Sequence, residues 1–255
     1  MRLSELCSRF DDRLQVADFA GIDASANGLQ VGRGAEVEHA AFAVDAAVET
    51  IQAAADAGAD VLCVHHGVSW GGIDRVTGRA YGRIAPLIEH GLALYAAHLP
   101  LDAHPDLGNA AGLADVLGLA DCEPFGALEG EHVGRRGRVA DEPFTADYLE
   151  ARLEAELDTG GRDVHTLDFG PEAIEDVAIV TGAGADWLDE AIETGADALV
   201  TGEGKHRLYH AAREAGINVF LAGHYATETF GVEALRSLAA EWGLDTSFVD
   251  RPTGL

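Results

Sequence analysis

The sequence predicts an α/β protein of two pseudo-repeated α/β halves with mixed sheets, and three observations carry that prediction. Short apolar strands alternate with alanine-rich helices closed by glycine. Two stretches far apart in the chain repeat one another. Histidines and carboxylates stand at the carboxyl ends of predicted strands, where α/β sheets place ligands, so a metal site is expected at the strand ends between the halves.

In chain order, HAAFAVD is a strand, DAAVETIQAAADAG a helix and ADVLCVHH a strand that ends on His65 and His66. The glycine-rich loop GVSWGGIDRVTGRAYG, between Gly67 and Gly82, has the length of a functional loop. It is followed by the helical RIAPLIEHG and the strand LALYAAH. From about 121 to 170 the alanine-rich texture lapses: EHVGRRGRV reads as a strand, FTADYLEARLEAEL as an amphipathic helix and RDVHTLDF as another strand. This segment is read as inserted or bridging. The rhythm returns with VAIVTG, WLDEAIETG, ADALVTGE, a helix from about His206 to Gly216, INVFLAGH, and a last helix and strand ending near Val249. The expected division is a first half over 1–120, a bridge over 121–170 and a second half over 171–255, together one compact domain.

The repeat aligns AGADVLCVHH, from Ala57, with TGADALVTGE, from Thr194. It also aligns GLALYAAHLPLD, from Gly91, with GINVFLAGHYATE, from Gly216, allowing one residue at the strand start. His98 with Asp102, and His224 with Glu228, then follow equivalent strands.

With 255 residues and 47% apolar side chains, the chain can bury a sizeable core. Cys7, Cys63 and Cys122 are far apart and form no CxxC pair, so neither a disulfide framework nor a thiolate zinc site is expected. No apolar run approaches the roughly 18 residues of a membrane span, and the amino terminus lacks a signal-peptide pattern, so a soluble cytoplasmic protein is expected. The 44 acidic residues outnumber the 17 basic ones, for a formal net charge of −27. That field repels nucleic acid and anionic membrane. It also strains the fold unless salt shortens the Debye length to roughly 3 Å at 1 M, which points to a halophilic protein. The expected result is a higher melting temperature in molar KCl than in dilute buffer. Equal melting temperatures would refute halophily.

His65 and His66 are adjacent on a strand, so their side chains should face opposite ways and serve two metals rather than one. Asp102 follows the paired strand in HLPLD, and His224 and Glu228, four apart in GHYATE, share one face of any helix formed there. Imidazole with carboxylate suits zinc, iron, manganese or nickel, and two such divalent ions per chain are expected. Asp102 and Glu228 taken singly could instead be carboxylates at helix starts. His98 is open between a further ligand, a side chain that braces a ligand and a histidine bonded to backbone, and bracing is preferred. Lys205 and His206 in TGEGKHR are read as the repeat's counterpart of the His65–His66 turn. They either line the site, with His206 bracing a ligand and Lys205 meeting an anionic substrate, or simply begin a helix. TGEGKHR lacks the GxxxxGK[ST] spacing of a phosphate loop.

VHHGVSWGG, AAHLPLD, GADALVTGEGKHR, AGHYATETFGVEAL and NGLQVG closely resemble the dinuclear-metal-centre proteins known as GTP cyclohydrolase I type 2 homologues. The likeness runs over nearly the whole chain and matches the short form without an inserted domain. It implies a toroidal homohexamer, metal ligands on His65, His66, Asp102, His224 and Glu228, and hydrolytic opening of the guanine imidazole ring of GTP with loss of formate. The expected function is therefore a metal-dependent hydrolase acting on a small molecule, with a nucleotide as candidate substrate and no residue assigned as general base. A dinuclear phosphoesterase or amidohydrolase, and a metal-binding or regulatory scaffold without catalysis, are the alternatives.

Overall fold

A computed structural model describes all 255 residues. Its strands are β1 (Gly28–Val31), β2 (His39–Asp45), β3 (Val61–His66), β4 (Ala93–Ala96), β5 (Leu119–Leu128), β6 (Glu131–Val139), β7 (His165–Leu167), β8 (Asp176–Val180), β9 (Ala198–Thr201), β10 (Asn218–Leu221) and β11 (Asp245–Phe248). Its helices are α1 (Leu3–Leu14), α2 (Val48–Asp56), α3 (Gly78–His90), α4 (Leu99–Ala103), α5 (Asn109–Leu117), α6 (Ala146–Glu156), α7 (Leu188–Thr194), α8 (His206–Ala215), α9 (His224–Thr227) and α10 (Thr229–Glu241). No helix is long and apolar enough to cross a membrane.

The chain forms two compact units, one of Met1–Leu101 with Gly231–Arg251, the other of Asp102–Phe230 with Pro252–Leu255. The first holds a five-stranded mixed sheet in the order β1-β4-β3-β2-β11. There β2, β3, β4 and β11 run parallel and only β1 is antiparallel. Apart from His66, β3 is buried along its length, which is why VLCV reads as an unbroken apolar run rather than an alternating one. Its core contains Ile51, Leu62, Leu87 and Leu94, with Phe10 packed against Phe42 and Tyr95. Each such side chain contributes about 1.5–3 kcal/mol of hydrophobic stabilisation when fully buried.

The second unit holds a six-stranded mixed sheet, β5-β6-β8-β9-β10-β7, whose core includes Leu113, Leu149, Ile179, Val200 and Phe220. The segment 121–170 is part of this sheet rather than a bridge. β5 and β6 form a hairpin that pairs with β8, and β7 closes the opposite edge against β10. Its texture differs because these strands pair antiparallel with their neighbours and need no alanine-rich crossover helix. The observed division therefore differs from 1–120, 121–170 and 171–255. The chain returns to the first sheet at α10 and β11, a long-range pairing that local patterning cannot report.

The internal repeat is visible in the topology of each unit. β1-β4-β3-β2 in one sheet corresponds to β7-β10-β9-β8 in the other, each with one antiparallel strand at its edge. The matched Gly-Ala-Asp sequences do the same job in each copy. Asp60 accepts the backbone N–H of Glu38 and His39 at 2.8 and 3.0 Å, and Asp197 accepts those of Glu175 and Asp176 at 2.9 and 3.0 Å. Val61 pairs with Ala93 and Ala198 with Asn218, so the repeats agree from the strand start. The extra residue falls at the strand end instead, on Gly223, whose φ of +96° favours glycine. α3 begins at Gly78 rather than Arg83, which shortens the preceding loop to 67–77.

Candidate metal centre

The carboxyl ends of β3 and β4 bring three imidazoles together in the first unit. His65 and His66 end β3, and His98 follows β4, its parallel neighbour. The ring centroid of His65 lies 4.6 Å from that of His66 and 5.0 Å from that of His98, and the last two are 5.6 Å apart. The expectation that His65 and His66 point opposite ways is thus not met. They are the last two residues of the strand, where the chain turns into Gly67 and the two rings draw side by side.

Each ring is fixed through Nδ1. His65 donates to the carbonyl of Ala97 at 3.0 Å. His66 meets Asp45 Oδ1 and His98 meets Asp23 Oδ1, both at 2.9 Å. Since a carbonyl or carboxylate oxygen can only accept, Nδ1 carries a proton on all three rings, and Nε2 is the nitrogen left facing away from the anchor. This is how proteins orient imidazoles toward a metal. One ligand atom from each ring lies within 4.8 Å of the others.

Asp23 is the hub of this arrangement. Its Oδ1 accepts from Ser25 N at 2.8 Å and from His98, and its Oδ2 from Asn27 Nδ2 at 2.8 Å and Leu99 N at 2.9 Å. Burial alone would raise its pKa, but the bonds from His98, Asn27 and Ser25, and the charge of His98, pull it down to about 2. Asn27 Oδ1 also accepts the backbone N–H of His98 at 2.8 Å. Neither Asp23 nor Asp45 was legible as a site residue; the only signal was the NGLQVG motif that begins at Asn27.

The second unit gathers the other predicted ligands. α9 starts at His224 and ends beside Glu228, so the two project from one face as the spacing requires. His224 Nε2 lies 3.2 Å from Glu228 Oε2, and its Nδ1 lies 3.3 Å from Glu203 Oε1. Burial would lower the pKa of His224, but the hydrogen bonds and charges of Glu228 and Glu203 lift it to about 9. Two carboxylates around one imidazole favour a cation there, either a proton or a metal ion that displaces it. Asp102, in α4, accepts Asn109 Nδ2 at 2.8 Å and Thr181 Oγ1 at 3.4 Å, and offers a carboxylate oxygen within 4.8 Å of one from Glu228. At Gly182, with φ +58°, a β-carbon would overlap the Glu228 carboxylate.

Glu203, which stands beside His224, is a residue that sequence reasoning missed although the repeat marked it. Counting from the aligned Gly-Ala-Asp, Gly202 and Glu203, not Lys205 and His206, stand opposite His65 and His66. Lys205 precedes α8 and pairs with Asp186 at 2.5 Å. His206 begins that helix with its ring 6.0 Å from His210, and it joins none of the groups able to hold an ion. The candidate donors are imidazoles with the buried carboxylates of Asp102 and Glu228, a set that fits zinc, iron, manganese or nickel.

Comparison with known proteins gives matches over the whole chain. The family model for Duf34/NIF3 (NGG1p interacting factor 3) matches residues 1–253. A Halobacterium salinarum protein named GTP cyclohydrolase 1 type 2 homolog is 59% identical over 256 residues, covering 100% of both chains. A Pyrococcus abyssi protein of the same name is 42% identical, again over 100% of both. Among solved structures, TTHA1606 from Thermus thermophilus superposes with a TM-score of 0.89 at 39% identity and covers 100% of each chain.

Proposed function

This chain belongs to the Duf34/NIF3 family, and from that premise we propose that it is a dinuclear metal-binding hydrolase whose ligands are His65, His66, Asp102, His224 and Glu228. The observation that carries the reading is the anchoring of Nδ1 in His65 and His66, which leaves Nε2 as the donor on each ring. Two divalent ions, of zinc, iron, manganese or nickel, would supply Lewis acidity and activate water near neutral pH. The chain's own residues prepare the site. Asp45 and the Ala97 carbonyl fix Nδ1 of His66 and His65, Asn109 and Thr181 orient Asp102, and the buried Glu228 would supply a further carboxylate to hold the ions.

The name borne by the relatives supports hydrolytic opening of the guanine imidazole ring of GTP as the reaction. A homohexamer and a salt-rich cytoplasm belong to the same proposal, the latter supported by the net charge of −27 and by the Halobacterium relative. One further observation favours a second reading. His98 adds a donor beyond the five, and a site saturated by protein ligands stores or senses ions rather than opening a coordination position to water.

Elemental analysis of protein purified in molar KCl, beside a His66→Ala, Glu228→Ala double variant, tests the proposal. About two ions per chain in the wild type, lost in the variant, with formate released from GTP, is the expected result. Two ions without turnover on GTP would favour another phosphoester or amide substrate, or the storage reading. Failure to bind metal even after reconstitution would sink the proposal.

A further inference from the structure

We propose that Trp70 is the platform on which the substrate's planar heteroaromatic ring stacks, and that the substrate is a nucleobase or nucleoside recognised through that ring rather than through phosphate. The inference rests on the reading of the histidine cluster as the reacting centre. Trp70 lies in the loop that leaves β3 directly after the two histidines. Its ring centroid is 4.9 Å from that of His98, at 75° between planes, and 6.0 Å from that of His66. Yet the side chain is 43% exposed. A tryptophan left this open beside three convergent imidazoles does not serve the core, which is built elsewhere from Ile51, Leu62, Leu87 and Leu94.

The platform is rigid. Indole Nε1 donates to the Gly67 carbonyl at 3.2 Å, which sets the ring's orientation. The backbone on either side is pinned: Ala26 N donates to Ser69 O at 3.0 Å and Gly71 N to Ala24 O at 2.6 Å, with Ser25 and Trp70 forming a bridge between them. Gln30 Oε1 accepts Val68 N at 2.7 Å and Ser69 N at 3.1 Å, bracing the loop from below. The pinned stretch 24–26 runs between Asp23 and Asn27, the two residues that hold His98, so the indole and that imidazole share one frame. Beyond Trp70 the chain continues as Gly71 and Gly72, where an added β-carbon would meet nothing within 4 Å. The groups that hold the three imidazoles are two carboxylates and a carbonyl, which themselves supply a phosphate with neither a hydrogen-bond donor nor a positive charge. An aromatic face receives any π-system by stacking and dispersion, with no charge required.

Equilibrium dialysis of radiolabelled guanosine and adenosine against metal-loaded wild type, Trp70→Phe and Trp70→Ala, with metal counted in each sample, tests this. Loss of a stacking partner should weaken nucleoside binding between about 5-fold and 150-fold in Trp70→Ala. Trp70→Phe should retain affinity to within a few-fold, and both variants should keep the wild-type metal content. Equal affinity in wild type and Trp70→Ala would overturn the proposal, as would a wild type that binds neither nucleoside. GTP binding more than about tenfold tighter than guanosine would overturn the claim that phosphate is not what is recognised. In every one of these failures a wild type that holds its metals leaves the metal-centre reading standing, whereas a wild type without metal refutes that reading instead.

Discussion

Gly182→Ala is expected to lower stability by roughly 3 kcal/mol or more and to disperse the donors of the second unit, whereas Gly118→Ala should cost only about 1–2 kcal/mol. Both glycines sit in the left-handed region, with φ of +58° and +71°, so the conformational penalty of a β-carbon is similar at each. Their surroundings differ. At Gly118, which closes α5, the new methyl meets nothing within 4 Å, while at Gly182 it overlaps the Glu228 carboxylate and stands 3.2 Å from His224 Nε2. Glu228 is 3% exposed and cannot swing into water without abandoning His224. Displacing a buried carboxylate from its partner adds the cost of leaving both groups poorly paired. Urea unfolding of the two variants gives the difference, and metal content should fall in Gly182→Ala and not in Gly118→Ala. Equal costs would mean that Glu228 has room to move and would remove Gly182 from the site.

The same glycine shows what the sequence could and could not convey. VAIVTG was readable as a strand because β8 is buried throughout, but nothing in it announced that its glycine makes room for a carboxylate far along the chain, at Glu228. The βαβ rhythm was legible wherever neighbours in sequence are neighbours in the sheet, as for β2, β3 and β4. It failed for β7 and for the β5–β6 hairpin, whose partners β10 and β8 are set by the fold of the second unit. The proposed ligands His65, His66, Asp102, His224 and Glu228 could be singled out from the sequence because they lie at or just after strand ends in a duplicated pattern. Asp23 and Asp45 were not, because an aspartate that braces a histidine 75 or 21 positions away has no local signature. Glu203 was recoverable, since the repeat counts it opposite His66, but the turn was sought a few residues too late.

Asp23→Asn should destabilise the protein by about 3 kcal/mol near neutral pH, because an amide cannot accept what the carboxylate accepts. The Asp23 side chain is 1% exposed and receives four donors, two at each oxygen. In asparagine one of those oxygens becomes an NH2 that faces two donors, leaving buried N–H groups unsatisfied at about 1–3 kcal/mol each. The pH dependence follows from the same contacts. The folded carboxylate titrates at about 2, below its ordinary value of 3.8, so its contribution is present in full above the ordinary value and is lost as pH falls toward 2. The shift corresponds to roughly 2 kcal/mol. The gap in unfolding free energy between wild type and Asp23→Asn should therefore narrow by about that amount on going from neutral pH toward pH 2. A gap that stayed constant across that range would show that Asp23 does not carry its charge into the folded state. The four contacts would then act by shape alone, and His98 would not owe its Nδ1 proton to an ionised partner.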